Sequence, residues 1–126
     1  MYITFEAYSG MGGSIDDSGV FARYAARADG VINRMTHGRI RDETPVRSCA
    51  QYAAYALIEQ MRADDESAYN GRAVTGMSND GVSVSFATSG DAGIDRARRY
   101  AAIVSDYLQY ETDANGTLVL YAGVDA

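Results

Sequence analysis

Few residues of this sequence have the chemistry for catalysis, and the single histidine, His37, is the first to consider. It stands in Thr36-His37-Gly38, at the end of a predicted helix, and could act as a general base. No serine or cysteine nucleophile motif accompanies it. A cation near a helix C-terminus also interacts favourably with the last carbonyl groups. We therefore expect a structural role for His37.

Three short acidic runs are the other candidates: Asp16-Asp17, Asp42-Glu43 and Asp64-Asp65-Glu66. Paired carboxylates could bind a divalent cation or take part in hydrolysis. Each run, however, lies at a predicted helix end or in a loop, where solvated acids are common. The spacing of an EF-hand, a P-loop, a zinc-protease motif and a dinucleotide fingerprint are all missing. The sequence therefore predicts a protein that is not an enzyme and uses no cofactor or metal, with a small acidic hydrolase or metal-binding protein as the least favoured alternative.

The amino-acid composition excludes further classes of protein. The 126 residues carry a net charge of −6, all 11 basic residues are arginines, and 10 of the 13 aromatic residues are tyrosines. An acidic chain of this kind is a poor candidate for a free-standing nucleic-acid binder. Cys49 is the one cysteine and lies in an apolar helical pattern, so we expect a buried small side chain rather than a reactive thiol. No apolar run is long enough for a membrane span and no secretory signal is visible, which predicts synthesis in the cytosol.

Hydrophobic periodicity predicts three long helices. The first runs from about Asp17 to Thr36, with apolar residues at the 3–4 spacing of an amphipathic helix and Gly38 as its left-handed C-cap. Thr44-Pro45 is expected to open the second helix, with the acids 64–66 just beyond its end. Because this helix is apolar nearly all round, it should be central. A short N-terminal element, Tyr2 to Tyr8, fits a helical turn or a strand equally well.

The third helix is expected from Asp91 or Ala92 to Tyr110 and has two apolar rows. The first is a core stripe of Ile94, Ala97, Ala101, Val104 and Leu108. The second is made of Tyr100, Ile103, Tyr107 and Tyr110. One row serves a three-helix core, so the second needs another partner, which could be a second subunit, the hairpin described next, or the C-terminal tail.

The segment from Gly71 to Gly90 has a different pattern. Val82, Val84 and Phe86 alternate with serines, as in a strand with one apolar face, and Asn79-Asp80-Gly81 suits a tight turn. We therefore predict a β-hairpin inserted between the second and third long helices. The tail, residues 117–124, should be extended. The predicted fold is one mainly α domain over residues 1–126, a bundle of three long helices with a short N-terminal element and this hairpin.

Several sequence motifs occur in an order that is also found in a known protein family. The chain opens with Met1-Tyr2-Ile3-Thr4-Phe5-Glu6, continues through Ile32-Asn33-Arg34-Met35-Thr36-His37-Gly38-Arg39, and carries Ser78-Asn79-Asp80-Gly81-Val82-Ser83-Val84-Ser85-Phe86 before its last helix and a Leu120-Tyr121-Ala122-Gly123 tail. In this order the sequence resembles the head–tail connector (head-completion, or adaptor) proteins of long-tailed phages and prophages. Asn33, in place of the family's usual aspartate, and the glycines at 10–13 depart from the pattern.

The resemblance implies a structural protein of the virion, made in the host cytoplasm and located at the head–tail interface. Such proteins form a ring that docks on the portal, extends the DNA channel and meets the next connector, stopper or tail protein; DNA passes through without specific binding, and no membrane is involved. Residues expected at the assembly interface are Val82, Val84, Phe86, Tyr100, Tyr107 and Arg39. The alternative is a non-viral bacterial interaction module with the same helical bundle.

Overall fold

The computed structural model describes the backbone of residues 1–75 and 79–121, and the side chains of residues 1–67 and 94–121. Four helices follow one another: α1 (Phe5–Gly10), α2 (Ser18–Thr36), α3 (Ser48–Thr75) and α4 (Asn79–Leu108). Within these ranges the chain has no β-strand, only one isolated bridge between Thr112 and Leu118. The predicted mainly α class is therefore confirmed, and the N-terminal element is a helix.

The boundaries of α2 agree with the prediction and have clear local causes. The Asp17 carboxylate accepts hydrogen bonds from the Gly19 and Val20 amides at 2.8 and 3.0 Å, which satisfies donors that a helix start leaves free. At the other end, His37 and Gly38 both have positive φ, 55° and 71°. The Gly38 amide donates to the Asn33 carbonyl at 3.0 Å and closes the helix. His37 therefore shares with Gly38 the left-handed cap that was predicted for Gly38.

Both predicted ends of α3 were wrong. The helix begins at Ser48, because its first backbone hydrogen bonds are made by the Arg47 carbonyl, which accepts from the Ala50 and Gln51 amides. Thr44-Pro45 precedes the helix and has a cis peptide bond. At the other end, α3 continues past the acids 64–66 to Thr75. These acids lie inside the helix, so the unfavourable charge at a C-terminus, on which the prediction rested, does not arise.

The predicted hairpin of residues 71–90 has no support. α3 is helical up to Thr75 and α4 begins at Asn79, twelve or more residues before the expected start at Asp91 or Ala92. Two short strands are marginal on their own, whereas each residue added to a helix gains a backbone hydrogen bond within the segment. Alternation over five residues was too short to outweigh that advantage.

α3 is the central helix, as its apolar character predicted, and packs between α2 and α4. Its buried residues are Ala50, Ala53, Ala54, Leu57, Ile58 and Met61. α4 contributes Tyr100, Val104 and Leu108, one residue per helical turn. Ile94 and Ala97, predicted for the core stripe, are exposed instead. The core stripe of α4 is therefore rotated towards Tyr100.

After α4 the chain turns back on itself. The Asp113 amide donates to the Thr117 carbonyl at 2.8 Å, and the Val119 amide donates to the Glu111 carbonyl at 2.9 Å. Gly116, at φ 83°, makes the turn, and Val119 is fully buried. The predicted extended tail is thus a short antiparallel return as far as Tyr121, and residues 122–124 lie outside the described part. Among the described helices, none combines the length and apolar character of a membrane span.

Candidate functional site

The residues predicted for an assembly interface have different surroundings. Val82, Val84 and Phe86 lie outside the described side chains. Tyr107 is exposed near the end of α4, whereas Tyr100 is 8% exposed and part of the core. Arg39 lies in the loop after α2, against the C-terminal return. Each of the described three is considered below with the residues it contacts.

Tyr100 is held by the acidic run of α3. Its hydroxyl donates to Asp64 Oδ2 at 2.8 Å, Arg99 approaches the same oxygen at 2.9 Å, and the Gln60 amide donates to Oδ1 at 3.0 Å. Burial and the bond to Asp64 raise the pKa of Tyr100 to about 12, so it stays a hydrogen-bond donor at physiological pH. Burial would raise the pKa of Asp64, but these three hydrogen bonds outweigh it and the pKa falls below its ordinary value. Asp64 is a structural carboxylate that joins α3 to α4.

Asp65 makes the corresponding connection to α2. The Tyr24 hydroxyl donates to its Oδ2 at 2.8 Å, and Arg27 donates to the same atom at 3.1 Å. Burial first, and then the bond to Asp65, raise the pKa of Tyr24. Neighbouring acids on α3 thus bind opposite helices. The predicted position of this run at a helix end was wrong, because α3 continues to Thr75; Asp64 is largely buried, whereas Asp65 and Glu66 remain solvated.

A third carboxylate fixes the N-terminal loop. Glu59 accepts hydrogen bonds from the Tyr8 hydroxyl, and from the Ser14 amide and hydroxyl at 3.0 and 2.8 Å. Burial would raise the pKa of Glu59, but the bonds from Tyr8 and Ser14 outweigh it and lower the pKa. The same Tyr8 hydroxyl accepts from the Ile15 amide at 3.0 Å. Glu59 thereby ties α1 and the following loop to α3.

This arrangement predicts a pH dependence. A depressed folded-state pKa means that the stabilisation by Glu59 is fully present above its unfolded-state pKa, near 4.5, and is lost as the pH falls through the lower folded-state value. We expect Glu59→Gln to lower the free energy of unfolding at pH 7 by about 1 kcal/mol, since a charge-assisted hydrogen bond is replaced by a neutral one. Urea denaturation at pH 7 and pH 3 measures both values. Between the two pH values the wild type should lose more stability than the variant; equal losses would show that Glu59 contributes nothing to the acid sensitivity.

Arg39 holds the C-terminal return in place. Its guanidinium donates to the carbonyl groups of Leu118, Val119 and Tyr121 at 3.1, 3.0 and 2.6 Å, and lies 5.8 Å from the centroid of the Tyr121 ring. All three contacts are made by Nη1, whose two hydrogens are shared among the three carbonyl groups, and the guanidinium also makes a cation–π contact. In this chain Arg39 binds its own C-terminal segment.

A second arginine organises the loop before α3. Arg47 forms a two-bonded pair with Glu43 and also donates to the Thr112 carbonyl at 3.2 Å. The nearby Cys49 thiol donates to Glu111 at 3.3 Å. Burial and this hydrogen bond raise the pKa of Cys49, which disfavours the thiolate. The structure thus agrees with the expectation of an unreactive cysteine, although Cys49 is half-buried rather than fully buried.

In the part of the chain whose side chains are described, no three His, Cys, Asp or Glu side chains come together as a metal site. His37 is exposed and forms the left-handed end of α2. In the first two runs, Asp17 caps α2, Glu43 is the partner of Arg47, and Asp42 is an exposed partner of the adjacent Arg41 at 3.9 Å. Most of the side-chain hydrogen bonds and ion pairs described above therefore join helices and loops of the fold to one another.

In the part of the chain whose side chains are described, several of the large residues that stay exposed are tyrosines. Tyr52 at the start of α3 stacks on Tyr107 of α4, with ring centroids 6.5 Å apart and planes at 24°. Both stay exposed, at 52% and 42%, and Tyr110 just beyond α4 is 83% exposed. We call Tyr52, Tyr107 and Tyr110 the tyrosine surface. Tyrosine is enriched in protein interfaces because its ring is apolar while its hydroxyl tolerates water.

The chain was compared with models of protein families, with curated proteins and with solved structures. None of the three comparisons finds a match. The resemblance to head–tail connectors rests on the sequence motifs given above.

Sequence reasoning missed two surface features, one on the tyrosine surface and one elsewhere. Tyr52 belongs to the helix that the sequence showed as apolar nearly all round, and only its stacking on Tyr107 shows that these two tyrosines lie together. The second is a cavity between α2 and α4 that Arg34 and Arg96 both line. Their i+4 and i+7 spacing showed that Arg23, Arg27 and Arg34 share a side of α2. Nothing in the sequence indicates which helix faces that side.

Proposed function

We propose that this chain is a virion structural protein, a head–tail connector that docks on the portal and forms a ring extending the DNA channel between head and tail. The observation that carries the proposal is the tyrosine surface, which a helical bundle of this size does not need for its own core. The order of sequence motifs supports the same role. The described polar networks support it as well, because each one braces the fold.

The net charge of the chain is compatible with a ring through which DNA passes. DNA carries about one negative charge per 1.7 Å of its axis, and proteins that hold it tightly neutralise many phosphates with Lys and Arg. A chain with a net charge of −6 has little overall attraction for DNA, so a ring of such chains would let the duplex slide.

The test is genetic and structural. In the phage or prophage that encodes the chain, deletion of its gene should leave DNA-filled heads and separate tails, and should lower the yield of tailed particles seen by electron microscopy about 100-fold. Portal and capsid genes should lie upstream and tail genes downstream. Tailed particles at normal yield would contradict the proposal, and neighbours without virion genes would favour the bacterial interaction module.

Complementation with point variants links this role to the tyrosine surface. The double variant Tyr107→Glu, Tyr110→Glu should restore few tailed particles, because central interface tyrosines often contribute 2 kcal/mol or more each. The double variant Ser18→Glu, Ala22→Glu is the matched control, since it adds the same two negative charges at exposed positions of α2 and should restore the normal yield. Circular dichroism should show both variants folded. Full complementation by the double variant would mean that the tyrosine surface is not used.

A further inference from the structure

A groove runs between α2 and α4. Two adjoining cavities of about 310 and 250 Å³ share Val31, Arg34 and Tyr100. The remaining lining residues are Arg27, Gly30, Met35, Met61, Arg96, Ala97 and Ala101. We call this the arginine groove. Its volume is at the lower limit of small-molecule sites and suits one large side chain.

The charge of the groove is opposite to that of the chain. A third cavity beside it is lined by Arg23, Tyr24 and Asp65 among others, and within residues 1–67 and 94–121 Asp65 is the one acid that borders any of the three. Arg27 binds Asp65, while Arg34 and Arg96 form no ion pair with any side chain in residues 1–67 or 94–121. A positively charged groove on a chain of net charge −6 favours an acidic occupant.

The apolar lining of the groove places a second requirement on the occupant. Val31, Met35, Ala97 and Ala101 are apolar, and Tyr100 beneath them is fixed by Asp64. Gly30 leaves further room, because the nearest atom to an added Cβ there would be Arg34 Nη1 at 3.5 Å. A DNA duplex presents phosphates and sugars on its outside and keeps its aromatic rings stacked inside, so it offers no ring to these apolar residues. The occupant that fits is an aromatic side chain with a carboxylate close to it, and therefore a protein.

This chain itself has an exposed aromatic side chain with a carboxylate close to it, at the end of α4. Tyr110 is the most exposed of the tyrosines whose side chains are described, and Asp106 is an exposed acid four residues earlier. Asp106 is nine residues from Ala97, or about 14 Å along a helix. Tyr107, between Asp106 and Tyr110, packs towards α3, whereas the groove lies between α4 and α2. Tyr110 of one chain is therefore placed away from the groove of that chain and is available to another copy.

We propose that the arginine groove receives Tyr110 of a second copy of this chain, with Asp106 of that copy paired to Arg34 and Arg96. The two surfaces in contact are different, so the interface is heterologous and the same contact repeats from copy to copy, closing as a ring or growing as a filament. Only the closure into a ring depends on the function proposed above.

Cross-linking tests the contact directly. In a Cys49→Ser background, Ala97→Cys marks the groove and Gln109→Cys marks the neighbour of Tyr110; both positions are exposed. A short bismaleimide should link the two variants when they are mixed at about 1 mM, where weak contacts are populated. Each variant alone should give no dimer. Glu6→Cys, exposed on α1, is the control partner for A97C and should give none either.

Charge reversal then tests the pairing. Arg34→Glu in the A97C chain should lower the yield of the mixed cross-link about 10-fold, and Asp106→Lys in the Q109C chain should restore most of it. A direct pair predicts this rescue, whereas a merely structural effect of either substitution would not produce it.

Three outcomes would overturn the inference. They are the absence of a cross-link specific to the mixture, equal cross-linking to the E6C control, and dimers of A97C alone. Protection of the A97C thiol by a 20-base-pair DNA duplex, but not by excess wild-type chain, would assign the groove to DNA and also contradict the proposal.

The particle assay separates this inference from the proposed function. If deletion of the gene removes tailed particles and the Arg34→Glu, Arg96→Glu variant restores them fully, the connector role stands and this interface is wrong. If the gene is dispensable for tailed particles, the connector role fails, and the cross-link still decides whether the groove binds a second copy.

Discussion

Replacing Tyr8 by alanine is expected to lower the free energy of unfolding by about 3–5 kcal/mol, the largest effect of a single substitution considered for this chain. The Tyr8 side chain is fully buried. Its ring lies 5.0 Å from the ring of Phe21, 5.5 Å from that of Tyr55 and 6.5 Å from that of Phe5, measured between centroids. Alanine would leave a cavity where α1, α2 and α3 meet, and a domain of this size has only about 5–15 kcal/mol in total.

Tyr8→Phe separates the ring from its hydroxyl. The ring contacts remain, but Glu59 loses one donor and the Ile15 amide loses its acceptor. We expect a loss of about 1–2 kcal/mol, since the buried Ile15 amide is left without an acceptor, whereas Glu59 is only partly buried and keeps its hydrogen bonds from Ser14. Urea denaturation followed by circular dichroism measures both variants. Equal losses for Tyr8→Phe and Tyr8→Ala would show that the hydroxyl, and not the ring packing, holds α1 in place.

Little of this N-terminal cluster could be read from the sequence. Tyr2 to Tyr8 fitted a helical turn or a strand, and the glycines after it indicated only a break. The structure adds a steric reason for one of them: a Cβ at Gly13 would overlap the Tyr8 ring. This approach depends on how the loop is folded back by Glu59 of α3, 45 residues further along the chain than Ser14. Contacts between distant segments leave no local pattern.

α2 shows the opposite case. Its start at Asp17, its left-handed end and its apolar stripe were all predicted, because caps and 3.6-residue periodicity are local properties. The buried residues Phe21, Ala25, Ala28 and Ile32 are members of the predicted stripe. For α2, the capping residues and the apolar periodicity were therefore sufficient to predict the helix and both of its ends.

The ends of α3 and α4 were predicted poorly because competing local signals had similar strength. Thr44-Pro45 is a good helix start in isolation, and acids are usually found outside a helix end. The fold instead gives Asp64 and Asp65 partners on α4 and α2. Tertiary contacts of this kind override local preference by a few kcal/mol, which is more than the preference itself is worth.

The candidate surface was predictable only in part. The second apolar row on the last helix correctly indicated that Tyr107 and Tyr110 lie outside the core. It also included Tyr100, which is buried, because a rotation of the helix by a fraction of a turn exchanges the two rows. The arginine groove was beyond prediction, since it requires the relative positions of α2 and α4.

Asp64→Ala is expected to have the second largest effect, a loss of about 2–3 kcal/mol in the free energy of unfolding. The carboxylate is 11% exposed and takes hydrogen bonds from Tyr100, Arg99 and Gln60. Its removal leaves the buried Tyr100 hydroxyl without an acceptor, and an unsatisfied buried group costs about 1–3 kcal/mol. The contribution of Arg99 is small, because its side chain is half exposed and its charge is screened by water.

Asp65→Ala is the matched control on the same helix. Asp65 and its partner Arg27 are both well exposed, so this variant should lose about 1 kcal/mol or less. A double-mutant cycle makes the comparison specific: Tyr100→Phe alone should cost about 1 kcal/mol, and the double variant with Asp64→Ala should cost clearly less than the two single losses together. Additive losses would mean that the hydroxyl and the carboxylate do not stabilise each other. The same buried pair fixes the Tyr100 ring in the arginine groove, so Asp64→Ala should also weaken the cross-link between copies, whereas Asp65→Ala should leave it nearly unchanged.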